Sequence, residues 1–141
     1  EDFEATVRLM REVSYDNAYI FKYSPRPGTD AAAREDDVPQ AVKEERNQRL
    51  LALQNEVSLA HHQALVGRDV EILVEERGRF ERQWFGRTRG NHGVIVPARP
   101  VEQGAGGDSP EDLLGRTVQA RITRGTEHTL FGEVACNVSL L

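Results

Sequence analysis

Hydrophobic positions change their spacing along this chain, and those changes divide it. In residues 2–13, Phe3, Val7, Met10 and Val13 recur at intervals of four, three and three, the spacing of one helical face. Asp2 and Glu4 stand in the first turn of that pattern, where the positive end of the helix dipole favours carboxylates. Residues 18–23 follow as an almost continuous apolar and aromatic run, which predicts a short strand buried on both faces, as in a parallel sheet. One strand makes no sheet, so this piece calls for partners beyond itself. Pro25, Pro27 and Gly28 end the run, and residues 30–37, with Asp30, Arg34, Glu35, Asp36 and Asp37, read as a solvated linker.

The spacing of threes and fours returns at Val42, Arg46, Leu50, Leu53, Val57, Ala60 and Ala64. It predicts one helix over residues 39–66, roughly 42 Å long at about 1.5 Å per residue. Pro39 suits the first helical position and Gly67 a left-handed terminator. The stripe is narrow and ends in alanines, so the helix should lie along another body; a coiled coil is the competing reading. From residue 68 the period falls to two. Val70, Ile72 and Val74 alternate with Glu71, Leu73 and Glu75, and Val118, Ala120 and Ile122 alternate with Gln119, Arg121 and Thr123. With Trp84-Phe85, the run at 94–96 and the alternation at 130–134, this gives five short strands, the pattern of a small antiparallel barrel of the OB type. Residues 103–110 look like a mobile loop.

Composition narrows the function classes. The chain has 141 residues, enough for one ordinary domain or two small ones, and a formal charge of −5. Its charge is unevenly spread. Residues 1–67 balance to −4, whereas residues 79–99 carry Arg79, Arg82, Arg87, Arg89 and Arg99 against one acid, Glu81, a balance of +4. The single cysteine, Cys136, excludes an intrachain disulfide and gives no sign of an oxidising compartment, so a cytoplasmic location is expected. No segment reaches the ~18 apolar residues of a membrane span, and no signal-peptide pattern is present. A start at Glu1 inside a helical pattern suggests a fragment of a longer protein.

The catalytic inventory is thin. One cysteine excludes a cysteine-rich zinc or iron–sulfur site. His61 and His62 are neighbours on a helix, pointing about 100° apart, and cannot share a metal at helical spacing. With His92 and His128 they are expected to be solvated. No catalytic residue and no metal ligand is assigned. The positive signal is arginine-rich β-structure beside aromatics. Small open barrels bind single-stranded or looped nucleic acid by stacking bases on aromatic rings and following phosphates with cations. Arg79, Arg82, Arg87, Arg89, Asn91, Arg121 and Arg124 are the candidate RNA-binding residues. Trp84 and Phe85 either stack on bases or belong to the core.

Several stretches resemble one family. A-Y-I-F-K-Y-S-P-R-P-G-T at 18–29 is similar to the last barrel strand of the radical-SAM methylthiotransferases. V-P-Q-A-V-K-E-E-R-N-Q-R-L-L-A-L-Q at 38–54 resembles the helix that follows it there. V-G-R-D-V-E-I-L-V-E-E at 66–76, G-R-T-R-G-N at 86–91 and L-F-G-E-V at 130–134 resemble the family's C-terminal TRAM domain. The resemblance covers roughly residues 1–135, and R-P-G-T at 26–29 is similar to the tRNA-modifying branch. It implies an α+β chain: residues 1–33 as the helix–strand remnant of a radical-SAM partial α/β barrel, 34–67 as acidic linker and long connecting helix, 68–135 as a five-stranded OB-like TRAM barrel, and 136–141 as a tail. It implies a parent enzyme that uses [4Fe-4S] clusters and S-adenosylmethionine to insert sulfur at C2 of adenosine 37 and then methylate it. The TRAM domain would hold the tRNA anticodon stem-loop. N6-isopentenyladenosine is the substrate implied, with the threonylcarbamoyl-adenosine enzyme as the alternative. The family's C-x3-C-x2-C motif is absent, so this chain binds no cofactor of its own and should be inactive alone. Its expected partners are the tRNA and the remainder of the parent enzyme, with no membrane, and a monomer is expected. A free-standing RNA-binding adaptor and a protein-interaction module built on the long helix are the readings from other classes.

Overall fold

The computed structural model describes residues 1–80, 82–97 and 113–134. The chain divides into two compact units, Glu1–Ser58 and Leu59–Leu141.

The first unit opens with helix α1, Asp2–Val13, as its spacing predicts. Val7 and Met10 are buried, and Ser14 ends the helix in a left-handed conformation (φ 55°). Helix α2, Gln40–Leu65, begins where Pro39 offers its carbonyl to the amides of Val42 and Lys43. Leu53 joins Val7 and Met10 in a small apolar cluster, with Phe3, Ala18, Ile20, Leu50 and Val57 around it. The guanidiniums of Arg46 and Arg49 lie over the Phe3 ring at 5.3 and 5.1 Å, and Arg49 also forks onto the Glu4 carboxylate at 2.6 and 2.9 Å.

Three expectations change in this unit. Residues 18–23 form no strand. A strand is defined by a backbone ladder, and here side chains of α2 supply the partners instead: Asn47 donates to the Ile20 carbonyl at 3.4 Å, and just before the segment Gln54 donates to the Tyr15 carbonyl at 2.9 Å. Nor is the segment buried on both faces, for Ala18 and Ile20 pack inward while Tyr19 (85 %) and Phe21 (82 %) are exposed. Residues 30–37 are not wholly irregular either, since Asp30–Ala33 forms a 3-10 turn capped by the Thr29 hydroxyl, which accepts from the Ala32 amide. Along α2 the burial departs from the alanine-ended stripe. Ala60 and Ala64 are exposed; Leu53 is buried, and Gln54, Ser58 and His62 form a buried polar line at intervals of four.

The second unit is a closed barrel of β1 (Asp69–Arg77), β2 (Gln83–Thr88), β3 (Gly93–Pro97), β4 (Thr117–Gly125) and β5 (Leu130–Val134), hydrogen-bonded in the order β1-β2-β3-β5-β4. Five strands in an α+β chain match the expectation. Four pairings are antiparallel, while β3 and β5 pair in parallel, Val94 opposite Leu130. Inward residues alternate with outward ones along each strand, and Ile72, Val74, Trp84, Val94, Val96, Leu113, Val118, Ala120, Ile122 and Leu130 form the core. Closure brings backbones together at Gly86, where a Cβ would lie 2.4 Å from the Leu73 carbonyl oxygen. Gly67 ends α2 at φ +81°, and its amide reaches the Ile122 carbonyl at 2.8 Å. Residues 103–110 and 136–141, with Glu81, Arg99 and Cys136, lie outside the described residues.

Candidate nucleic-acid interface

The outward side of β1 sets the character of the candidate surface. Alternation leaves Asp69, Glu71, Leu73 and Glu75 facing away from the core, so three carboxylates line up on one strand. Its neighbours answer them with arginines. The register places Arg121 of β4 opposite Asp69 and Arg87 of β2 opposite Leu73. Arg121 forks onto the Asp69 carboxylate at 2.8 and 2.7 Å. That pair of hydrogen bonds holds the Asp69 carboxyl below the ordinary carboxylate range and raises the Arg121 guanidinium. Arg87 Nε meets Glu75 at 3.1 Å and its Nη1 reaches Asn91 Oδ1 at 3.2 Å. Arg89 Nε meets Glu71 at 2.7 Å, with most of its side chain in solvent. Between these groups lies an open groove of about 400 Å³, flanked by Glu71, Glu75, Arg87, Arg89, Asn91 and Thr117.

This arrangement alters the electrostatic picture drawn from sequence. Of the arginines in residues 79–99, Arg87 and Arg89 do not form a free cationic patch, because β1 carries their compensating acids and lies next to β2. Exposed ion pairs of this kind are weak and screened by salt, so a phosphate can take the place of the carboxylate at small cost. Meanwhile each carboxylate holds its guanidinium through Nε.

The seven candidate residues fall into separate places. Arg87, Arg89 and Asn91 share the groove, and Arg121 continues the same row along β1. Arg79 and Arg82 stand at the tip of the β1–β2 turn, about five strand residues from Arg87, on the order of 16 Å at ~3.3 Å per residue. Arg124 lies on the β4–β5 pair with its guanidinium 3.9 Å from the Phe131 ring centroid. Of the two aromatics, Trp84 is core (3 % exposed), covered by the Arg77 guanidinium at 5.2 Å. Phe85 is half-buried beneath Arg87 at 5.4 Å.

The expectation that the histidines are solvated fails for His61, His62 and His92, which are half-buried, buried and half-buried. His62 is 4 % exposed; its Nδ1 contacts the Thr126 carbonyl at 2.5 Å and its Nε2 contacts His92 Nδ1 at 3.1 Å. A carbonyl oxygen only accepts, so His62 Nδ1 is the donor in its contact with Thr126. The last turns of α2, the β2–β3 turn and the β4–β5 turn meet at this point. The interval of four linking Gln54, Ser58 and His62 was the available signal, since a buried polar line at helical spacing marks a face that hydrogen-bonds.

Among the described residues no three His, Cys, Asp or Glu side chains are grouped to hold a metal, and no helix is long and apolar enough to cross a membrane. An iron–sulfur cluster held by thiolates does not fit a chain whose one cysteine is Cys136.

Residues 63–135 match the TRAM domain family. Over 134 residues the chain is 45 % identical to the tRNA-2-methylthio-N(6)-dimethylallyladenosine synthase of Moorella thermoacetica, covering 94 % of this chain and 28 % of that protein. The proteins of the same name from Opitutus terrae and Thermus thermophilus are 45 % and 43 % identical over 134 residues, covering 95 % of this chain and 26 % of theirs. The chain thus spans about a quarter of the length of the curated relatives it matches.

Proposed function

The chain belongs to the TRAM domain family, and from that premise we propose that it is the C-terminal, tRNA-docking part of a methylthiotransferase that converts N6-isopentenyladenosine 37 of tRNA to its 2-methylthio derivative. The observation that supports this most is that similarity to enzymes of that name runs through both units without a break in order. The chemistry belongs to the remainder of the parent enzyme, where [4Fe-4S] clusters and S-adenosylmethionine would supply sulfur insertion and methylation. This chain's share is to bind and orient, as a monomer in the cytoplasm.

Docking follows from the groups on the barrel surface. Arg87, Arg89 and Arg121 arrive at the RNA already oriented by Glu75, Glu71 and Asp69. Phosphate oxygens accept from the same guanidinium forks and displace carboxylates held by weak, screened attraction. Asn91, hydrogen-bonded to Arg87, adds an amide at the groove's edge. Arg79, Arg82 and Arg124 extend the contact to the hairpin tip and the β4–β5 edge. Binding built this way tolerates sequence and depends on salt.

The experiment is a gel shift of the chain against unmodified tRNA, with the Arg87→Glu/Arg89→Glu double variant beside it. The expected result is retardation of tRNA by the parent chain and its weakening by about tenfold in the variant. Equal affinity of the two proteins would exclude the role.

A further inference from the structure

The arginines of the barrel sort by what holds them. Arg87, Arg89 and Arg121 are each paired with a carboxylate, and Arg77 and Arg124 lie over aromatic rings. Arg79 and Arg82 at the β1–β2 tip pair with no carboxylate among the described residues. Between them stands Phe80, 67 % exposed.

The tip is built to hold that ring outward. The Gly78 amide donates to the Gln83 carbonyl at 2.8 Å and closes the turn. A Cβ at Gly78 would come within 2.6 Å of the Gln83 Cβ, so the two strands meet tightly just below the tip. Arg82 takes the left-handed region at φ 62° to turn the chain back. Trp84, not Phe80, is the aromatic that joins the core, and Arg77 covers it. Nor does Phe80 extend an apolar patch of the size that marks a protein interface. Leu73, another exposed apolar side chain of this hairpin, sits four residues before Arg77, opposite Arg87. An exposed ring with Arg79 before it and Arg82 two residues after it, past Glu81, has the chemistry of a base-stacking platform, with the ring on the base face and the cations on adjacent phosphates.

We propose that Phe80 stacks on an unpaired nucleobase of a single-stranded RNA loop, with Arg79 and Arg82 taking the phosphates on either side. This deepens the docking reading above and rests on it. It gives the barrel two kinds of contact: a groove that follows the backbone and a tip that engages one splayed base.

The test is anisotropy of the full chain titrated onto a labelled RNA hairpin with a single-stranded loop, and onto hairpins carrying one abasic loop nucleotide at a time. Phe80→Ala is expected to lose about tenfold in affinity, the scale of one base–aromatic stack, while Phe80→Tyr keeps wild-type affinity. One abasic hairpin should bind wild type about tenfold more weakly and show no further loss with Phe80→Ala. An unfolding midpoint equal to wild type, as the exposure of Phe80 leads one to expect, ties the loss to binding. If Phe80→Ala binds as wild type while Arg87→Glu/Arg89→Glu is weakened, the tip proposal falls and docking through the groove stands. If neither variant changes affinity, the docking reading falls and takes this proposal with it. A Phe80→Ala loss of the same size on every abasic hairpin would also overturn stacking.

Discussion

Residues 18–23 and strand β3 are both short and apolar, and they finish in opposite states. In β3, Val94 and Val96 have no solvent exposure and the strand is paired on both sides, antiparallel to β2 and parallel to β5. In 18–23, Ala18 and Ile20 are only partly covered, Tyr19 and Phe21 face solvent, and no ladder forms. Apolar content is similar; the difference is whether each backbone amide finds a strand beside it. The contrast extends to the whole units. Among the described residues the barrel closes on itself, leaves no unpaired edge and buries ten apolar side chains. The first unit rests on Val7, Met10 and Leu53, with its other apolar contacts half-covered. Sheet closure therefore separates a self-sufficient module from a segment held by a few side chains.

That contrast can be broken or sharpened experimentally. The largest effect should appear in amide hydrogen exchange, where the amide of Ile122 is expected to exchange on the order of a thousandfold more slowly than those of Ile20 and Phe21. Comparable protection in the two segments would erase the distinction. Next is core truncation. Ile122→Ala removes a side chain 1 % exposed and should cost about 3 kcal/mol in a denaturant titration followed by Trp84 fluorescence. Met10→Ala should leave that Trp84 transition in place, and equal shifts would mean that the units unfold together. A smaller effect tests the acid row. Glu71→Gln releases Arg89 and should raise RNA affinity about two- to threefold, the scale of a surface ion pair. Unchanged or weaker binding would show that the carboxylate does not compete with phosphate.

The smallest effect is in pH. Asp69 is held below the ordinary carboxylate range by its hydrogen bonds from Arg121, and Glu4 likewise by those from Arg49. For a depressed carboxyl the stabilisation is present above the unfolded-state pKa, about 4, and is lost as pH falls through the lower folded value. Asp69→Asn should therefore flatten the acid limb of the barrel's thermal stability, and Glu4→Gln that of the first unit. A barrel limb that Asp69→Asn leaves unaltered would remove this ion pair from the account.

How much of this was legible in sequence depends on how local each feature is. The strands could be read because alternation is a property of neighbours, and Val70, Ile72 and Val74 declare an inward face by themselves. Barrel closure and the parallel β3–β5 pair could not, because the residues that meet, such as Val94 and Leu130, are far apart in the chain. The same limit applied to the candidate site. Arg87 and Arg89 stood out as cations, but their neutralisation by Glu75 and Glu71 follows only from the β1–β2 register. His62 and His92 are thirty residues apart and read as solvated until the fold joins them. The run at 18–23 misled for the converse reason: it carries the composition of a buried strand, and composition does not supply the ladder.

The central claim is that the barrel's arginine surface engages RNA phosphates, and the salt dependence of binding tests it most directly. For the chain titrated onto the labelled RNA hairpin, the slope of log affinity against log salt should be about −3, from about four phosphates at roughly −0.7 each. With Arg87→Glu/Arg89→Glu the slope should shrink to about half. A slope near zero for the parent chain, or the same slope for both proteins, would contradict the claim.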